Sequence, residues 1–363
     1  MICNIKILDD ILKDKGREKM KIFFTAEYDP KELEPLCEFG EVVIDGWAKG
    51  LPNLTQEELL DRSADADIII TTFDEITRAV IENAKKLKLI ACTRATPVNI
   101  DVTAAKERGI PVLYTPGRNS DATAELTIGL MISIARKIPM AHSALKAGMY
   151  TAAPDDEKKT KNGLRKDVFW GVGEDAPYSV FKGCELKNKT LGIVGYGSIG
   201  KRVGKIARAF GMELLIYDPY VGEIDVEEIG VRKALTLAET MQESDFVTCH
   251  LKVTPETEGC INREMISLMK PTSYFINASR SAVVDEKALI EALRERKIAG
   301  AALDVYEKEP IPSNHAYLTE LDNVVVTPHI AGASMEVLTN HTKMIVGEVR
   351  RFIRGEHLLY RYC

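Results

Sequence analysis

The run Gly195-Tyr196-Gly197-Ser198-Ile199-Gly200 stands between the apolar stretch LGIV and the helix-forming SIGKRVGKIARAF. No other feature constrains the fold as much. A strand that turns into a helix through glycines needs a second strand for that helix to lead into, so the motif implies a βαβ unit. Gly195 allows the tight turn, Gly197 lets a pyrophosphate approach the backbone without a Cβ in the way, and Gly200 permits close helix–strand packing. Ser198 and Ile199 open the helix, whose first N–H groups carry partial positive charge. Eighteen residues beyond Gly200, at the end of the next strand, Asp218 can accept hydrogen bonds from adenosine ribose hydroxyls. Its carboxylate would repel a 2′-phosphate, and Pro219, Tyr220 and Val221 bring no arginine to receive one. The pattern predicts NAD rather than NADP.

Two series of short β-rich runs lie around this motif. The first is KIFF, EVVI after Gly40, DIIITT at 67–72, KLIACT at 88–93 and PVLYT at 111–115. The second is TLGIVG, LLIYD at 214–218, a short strand near Val231, DFVTCHL at 245–251, YFINAS at 274–279, AALDVY at 301–306 and NVVVTP at 323–328. Helical segments separate the runs, which is the pattern of parallel sheets with helices on their faces. At about 150 residues per domain, 363 residues imply two domains.

Between the two series, Asp121 to about Ala147 has almost no polar face in its first half and is expected to be one helix buried on several sides. It would pack between the domains and also form a subunit interface. Residues 334–354 are expected to form a last amphipathic helix ending at Gly355. The Lys158-to-Lys166 charge run, in an excursion over 151–189, is expected to be a solvated loop, and residues 1–19 an extension with no functional reading.

Composition narrows the partners. With 48 Lys+Arg against 54 Asp+Glu the net charge is −6, which leaves no basic field for nucleic acid or anionic lipid. The seven cysteines are widely spaced and form no CxxC pair, which fits reduced thiols in a cytoplasm and predicts no metal site. No stretch approaches the roughly 18 apolar residues of a membrane span. The N-terminal segment lacks the basic-then-apolar order of a signal peptide. A cytoplasmic enzyme-sized chain is expected.

Three strand-end segments carry polar residues that a purely structural role would not require: Asn277-Ala278-Ser279-Arg280-Ser281, Asp304 with Glu309, and Thr327-Pro328-His329. Ligand sites in open α/β sheets gather at the carboxyl ends of strands, so these segments can converge on one crevice. Together with VGYGSIG, IYDP, TPETEGCINREMISLMKPTSYFINASRSAVVDEKALIEAL, GAALDVYEKEP and NVVVTPHIAGAS, they resemble the D-isomer-specific 2-hydroxyacid dehydrogenases from about Lys21 onward.

The resemblance implies a Rossmann-type doubly wound parallel sheet, residues 119–330, inserted into a flavodoxin-like α/β substrate domain made of residues 1–118 plus 331–363. It implies Arg280, Glu309 and His329 as catalytic residues, with Asp304 beside the nicotinamide of NAD and Ala278 and Ser279 lining the cofactor. His250 is a core or cofactor-edge histidine. In such a site His329 would protonate the carbonyl oxygen, Glu309 would favour the imidazolium, and Arg280 would hold the substrate carboxylate of a 2-oxo or 2-hydroxy acid.

The turn before Asn99-Ile100-Asp101 lacks the family's glycines, so the carboxylate-binding backbone role falls to Ala95, Thr96 and Val98. Pro97 has no N–H to give. Arg94 either recognises a phosphate or second carboxylate or pairs with an acidic residue. Arg118 and Asn119 fall in a stretch that the resemblance places beside the active-site crevice, as further polar groups for a sugar acid or phosphorylated acid. Glu309 argues against formate, because the family's formate dehydrogenases lack that acid. A homodimer through 121–147 is the expected assembly. Two alternatives stay open: a D-3-phosphoglycerate dehydrogenase of serine synthesis, and an NAD(H)-sensing corepressor-like interaction protein.

Overall fold

The structure, a computed structural model, describes residues 19–151, 173–227 and 230–363. Residues 1–18 of the expected extension and the Lys158-to-Lys166 run lie outside the described residues. The chain divides into two compact units, residues 1–119 with 333–363 and residues 120–332.

Unit 1 is built on β1 (Met20–Phe24), β2 (Gly40–Ile44), β3 (Ile68–Thr71), β4 (Leu89–Cys92) and β5 (Val112–Leu113), in the spatial order β2-β1-β3-β4-β5 with every pairing parallel. This is the flavodoxin-like order, whose switch point lies between β1 and β3. Alternate residues feed opposite cores: Phe23, Ile69 and Ile90 point to one face, Ile22, Phe24, Ile68 and Ile70 to the other. Both faces are covered, so the central strands β3 and β4 are buried along their whole length rather than in alternation. The final helix, Met335–Arg354, lays Ile345, Val346 and Val349 on the second face and stops at Gly355, whose φ of 68° suits a residue without Cβ.

Beyond Gly355 the chain returns to the sheet. Tyr362 N–H donates to the Val112 carbonyl at 2.7 Å and Tyr114 N–H to the Tyr360 carbonyl at 3.1 Å, which covers the open edge of β5. The fully buried Glu348 carboxylate holds this return by accepting from the amides of Leu359 (2.8 Å) and Tyr360 (3.0 Å) and from Arg351 (2.9 Å).

Unit 2 carries β6 (Thr190–Val194), β7 (Glu213–Tyr217), β8 (Arg232–Lys233), β9 (Phe246–Cys249), β10 (Tyr274–Asn277), β11 (Gly300–Leu303) and β12 (Val324–Val326). Their order is β12-β11-β10-β9-β6-β7-β8, again all parallel. The order reverses between β6 and β9, which is where a doubly wound Rossmann sheet binds a nucleotide.

The expected single helix over 121–147 is corrected to two, Ser120–Ala135 and Ile138–Lys146, with Lys137 at φ 51° between them. Pro139 has no N–H to donate to the Ala135 carbonyl. That carbonyl accepts from Cys184 N–H instead, at 3.1 Å. The first helix buries Ala124, Ile128, Met131 and Ile134 against Leu191, Ile193 and Val203 within unit 2, which accounts for its apolar circumference. The second buries no residue and leaves Ile138 and Leu145 about half exposed.

Candidate active site

The glycine turn leaves β6 at Gly195, whose φ of 93° lies in the region that favours glycine. A Cβ there would come within 2.9 Å of the His250 carbonyl oxygen, and one at Gly200 within 2.2 Å of the Gly195 carbonyl oxygen. A Cβ at Gly197 would meet nothing within 4 Å, so the space above that residue is open. Gly197 caps the helix Ser198–Ala209 without any side-chain hydrogen bond, which leaves the first-turn N–H groups for an anion.

The Ser198 hydroxyl is engaged with Ser120 (2.9 Å) and Arg202 (2.9 Å). Ile199 packs on the core behind the turn. Asp218 ties the turn to β7: one oxygen accepts from Tyr196 N–H at 2.7 Å and the other from Tyr220 N–H at 2.9 Å. A crowded Gly200, an open Gly197 and a carboxylate at the next strand end fit a dinucleotide. Gly200→Ala is expected to lower stability by about 1–3 kcal/mol, because two backbones must separate to admit one methyl group. An unchanged thermal midpoint would contradict this packing.

Across the sheet, in spatial order, the carboxyl ends of six of the seven strands offer candidate groups. His329 follows β12, Asp304 and Glu309 follow β11, Arg280 follows β10, His250 follows β9, the glycine turn follows β6 and Asp218 follows β7. Neighbouring strands lie about 4.8 Å apart, so residues far apart in sequence become neighbours along this edge.

His329 Nδ1 donates to Glu309 Oε2 at 2.6 Å, and Glu309 Oε1 accepts from Tyr306 N–H at 3.1 Å, which holds the carboxylate in place. With Nδ1 occupied, Nε2 is the nitrogen left for a reacting group. His329 sits at φ 54°, an uncommon conformation for a residue with a side chain. Asp304 accounts for it. Fully buried, it accepts from Thr327 Oγ1 (2.6 Å), Ile330 N–H (2.9 Å) and Ala331 N–H (2.8 Å), winding the loop around one carboxylate.

Arg280 is exposed, and its Nη1 donates to the Ser279 carbonyl at 2.6 Å. Among the described residues no carboxylate pairs with it, so its charge is not used structurally. Ala278 and Ser279 are buried, and the Ser279 hydroxyl turns inward to Asn277 Oδ1 (3.0 Å) and the Cys249 sulfur (3.5 Å). His250 Nε2 meets Thr248 Oγ1 at 3.1 Å, while its buried Nδ1 has no partner. Burial pushes this imidazole down to about 4, so it is neutral at pH 7 and not a ready acid.

In unit 1, Arg94, Ala95, Thr96 and Val98 follow β4. Ala95, Thr96 and Val98 are exposed, but Val98 N–H already donates to the Thr96 carbonyl at 2.9 Å across Pro97, so it is not a free donor in this turn. Arg94 lies over the Phe73 ring, 5.5 Å from its centroid, and pairs with no acid among the described residues.

Sequence reasoning named Asn277 in its strand-end segment without giving it a role, and passed over Tyr306. Buried Asn277 braces the Arg280 turn by donating to the Arg280 carbonyl (2.9 Å) and accepting from Ser279 N–H (3.0 Å). Tyr306 OH donates to the Thr327 carbonyl at 2.7 Å and steadies the His329 loop. An amide residue at a strand end was the available signal for Asn277; Tyr306 gave none. Among the described residues no cluster of His, Cys, Asp and Glu could hold a metal ion, and no helix is long and apolar enough to cross a membrane.

Residues 128–331 match the NAD binding domain of the D-isomer specific 2-hydroxyacid dehydrogenases. The chain is 42% identical over 339 residues to a D-3-phosphoglycerate dehydrogenase of Methanocaldococcus jannaschii, a match covering 93% of this chain and 58% of that longer protein. It is 35% identical to a glyoxylate reductase of Thermococcus litoralis, over 93% of this chain and 95% of the relative. Among solved structures, the apo form of a D-lactate dehydrogenase from Escherichia coli is similar with a TM-score of 0.72 at 27% identity, over 95% of this chain and 100% of that one.

Proposed function

The chain belongs to the D-isomer specific 2-hydroxyacid dehydrogenases, and from that membership we propose that it interconverts a D-2-hydroxy acid and its 2-oxo acid. The observation that carries the reading is the His329–Glu309 pair at 2.6 Å, on the same sheet edge as an Arg280 that no carboxylate neutralises.

NAD, when bound, supplies or accepts the hydride. The glycine turn at Gly195, Gly197 and Gly200 would hold its pyrophosphate and Asp218 its adenosine ribose. In reduction, His329 Nε2 gives its proton to the carbonyl oxygen as negative charge grows there. In oxidation the same nitrogen removes the hydroxyl proton. Glu309 keeps Nδ1 protonated and the ring oriented, the part a carboxylate plays beside a general acid–base histidine. Arg280 offers a planar fork of donors to the 2-carboxylate.

The test is NADH consumption against a panel of 2-oxo acids. Binding of NADH with no acid reduced would favour the nucleotide-sensing alternative. Asp218→Ser is expected to raise KM for NADH about tenfold and relax the exclusion of NADPH, because one charge-assisted acceptor is lost. A wild-type preference for NADPH would remove Asp218 from this role. A homodimer through the exposed face of the helix Ile138–Lys146 is part of the proposal, as is a cytoplasmic location, which widely spaced cysteines without a CxxC pair suit.

A further inference from the structure

Glu309 lies in the loop between β11 and the short helix Ala316–Thr319. Tyr306 and Tyr317, each 4% exposed, anchor the two limbs of this loop, with ring centroids 6.4 Å apart. Residues 307–310 between them are exposed. Burial therefore does not fix the segment that aims Glu309 at His329, and hydrogen bonds must. Among the described residues, one hydrogen bond ties the backbone of 307–310 to another element: Glu307 N–H donates to Glu286 Oε1 at 3.4 Å. Glu309 stands two residues beyond this tied amide, and its Oε1 accepts from the N–H of Tyr306, one residue before it. Glu286 thus holds the middle of the turn that sets the Glu309 carboxylate.

Glu286 is the first residue of the helix Glu286–Arg294, which Asp285 caps by accepting from Ala288 N–H at 3.0 Å. The helix has its cap without the Glu286 side chain. That side chain is nevertheless only 15% exposed, and no lysine or arginine pairs with it among the described residues. Its Oε2 lies 3.5 Å from His315 Nε2. His315 Nδ1 accepts from Tyr317 N–H at 3.3 Å, so the ring hydrogen sits on Nε2 and faces Glu286. The His315 ring rests against Tyr317, with centroids 4.8 Å apart. One carboxylate therefore spans both limbs of the loop, Glu307 on the outward limb and His315 on the return. Withdrawing a carboxylate from water costs free energy unless donors meet it, and here both donors belong to the loop rather than to its own helix.

We propose that Glu286 is a positioning residue for the His329–Glu309 pair, clamping the loop so that the Glu309 carboxylate meets His329 Nδ1. Its contacts are with Glu307 and His315, so it acts on the reaction through the loop. This role rests on the reading of His329 as the acid and base of a dehydrogenase.

One readout needs no turnover. In nitrogen NMR spectra recorded where the imidazoles are neutral, the His329 signals are assigned by their loss in His329→Ala. The wild type is expected to hold His329 as the Nδ1–H tautomer, because Glu309 accepts there. Glu286→Ala should shift His329 towards Nε2–H, the form an isolated neutral imidazole of histidine favours. Glu286→Gln keeps an acceptor for Glu307 N–H and should retain Nδ1–H. The other readout is kinetic. Glu286→Ala is expected to lower kcat for 2-oxo acid reduction about tenfold by displacing the pair, with KM for the acid and NADH affinity close to wild type. Added to Glu309→Ala, the same substitution should cost nothing further, because no carboxylate is left to aim.

A wild-type tautomer or kcat in Glu286→Ala, an equal loss in Glu286→Gln, or a fully additive loss in the double variant would overturn the role. If the tautomer shifts as expected but no 2-oxo acid is reduced by the wild type, the dehydrogenase reading fails and the positioning of Glu309 by Glu286 stands.

Discussion

Replacing His329 with alanine is expected to lower kcat for 2-oxo acid reduction by about 10²- to 10⁴-fold, the usual contribution of a positioned general acid. The reason is local. Glu309 occupies Nδ1 at 2.6 Å, so Nε2 is the single nitrogen that can exchange a proton with a substrate oxygen. The side chain is 47% exposed and contributes little to the core, so NADH affinity and thermal midpoint should stay near those of the wild type. Glu309→Gln keeps a hydrogen-bonding group but removes the charge, and its loss should be smaller. Wild-type turnover in His329→Ala would remove this histidine from the chemistry and leave the family's reaction without an acid in this chain.

Arg280→Gln is the second large effect, a fall of about 10- to 100-fold in kcat/KM as a charge-assisted pair with the substrate carboxylate is lost. Because no described carboxylate depends on this guanidinium, the fold should tolerate the change. Arg280→Lys restores the charge without the planar fork and should recover only part of the rate. The idea fails if both variants retain wild-type kcat/KM while folded. A parallel loss in Asn277→Ala, which leaves Arg280 in place but removes the brace on its turn, would identify orientation as the quantity that matters.

Much of this was legible in the residues. The β-rich runs overshoot the strands at their carboxyl ends, and the overshoot contains Asp218, His250, Ser279, Asp304 and Thr327. A run of apolar residues does not mark where pairing stops, because loops that fold back on the sheet edge are also buried. Pro139 was readable as a break, and a single helix over 121–147 ignored it. The two readings of Arg94 could not be separated from the chain alone. Whether a guanidinium finds a carboxylate depends on which strand ends become neighbours, and here it finds the Phe73 ring. Val98 shows the same limit, because only the folded turn reveals that its amide is already used.

Local chemistry determined the kind of element at each position, the glycine turn and the residue types a dehydrogenase needs, since each depends on a few adjacent residues. Tertiary structure alone decided which of them meet. Periodicity reports the face a side chain takes and is silent on the order of strands. That order sets Glu309 beside His329 across 20 residues and brings Arg118 to His341 across 223. Such contacts follow from how two parallel sheets arrange their strands to cover both faces, which is a property of the whole packing and not of any segment.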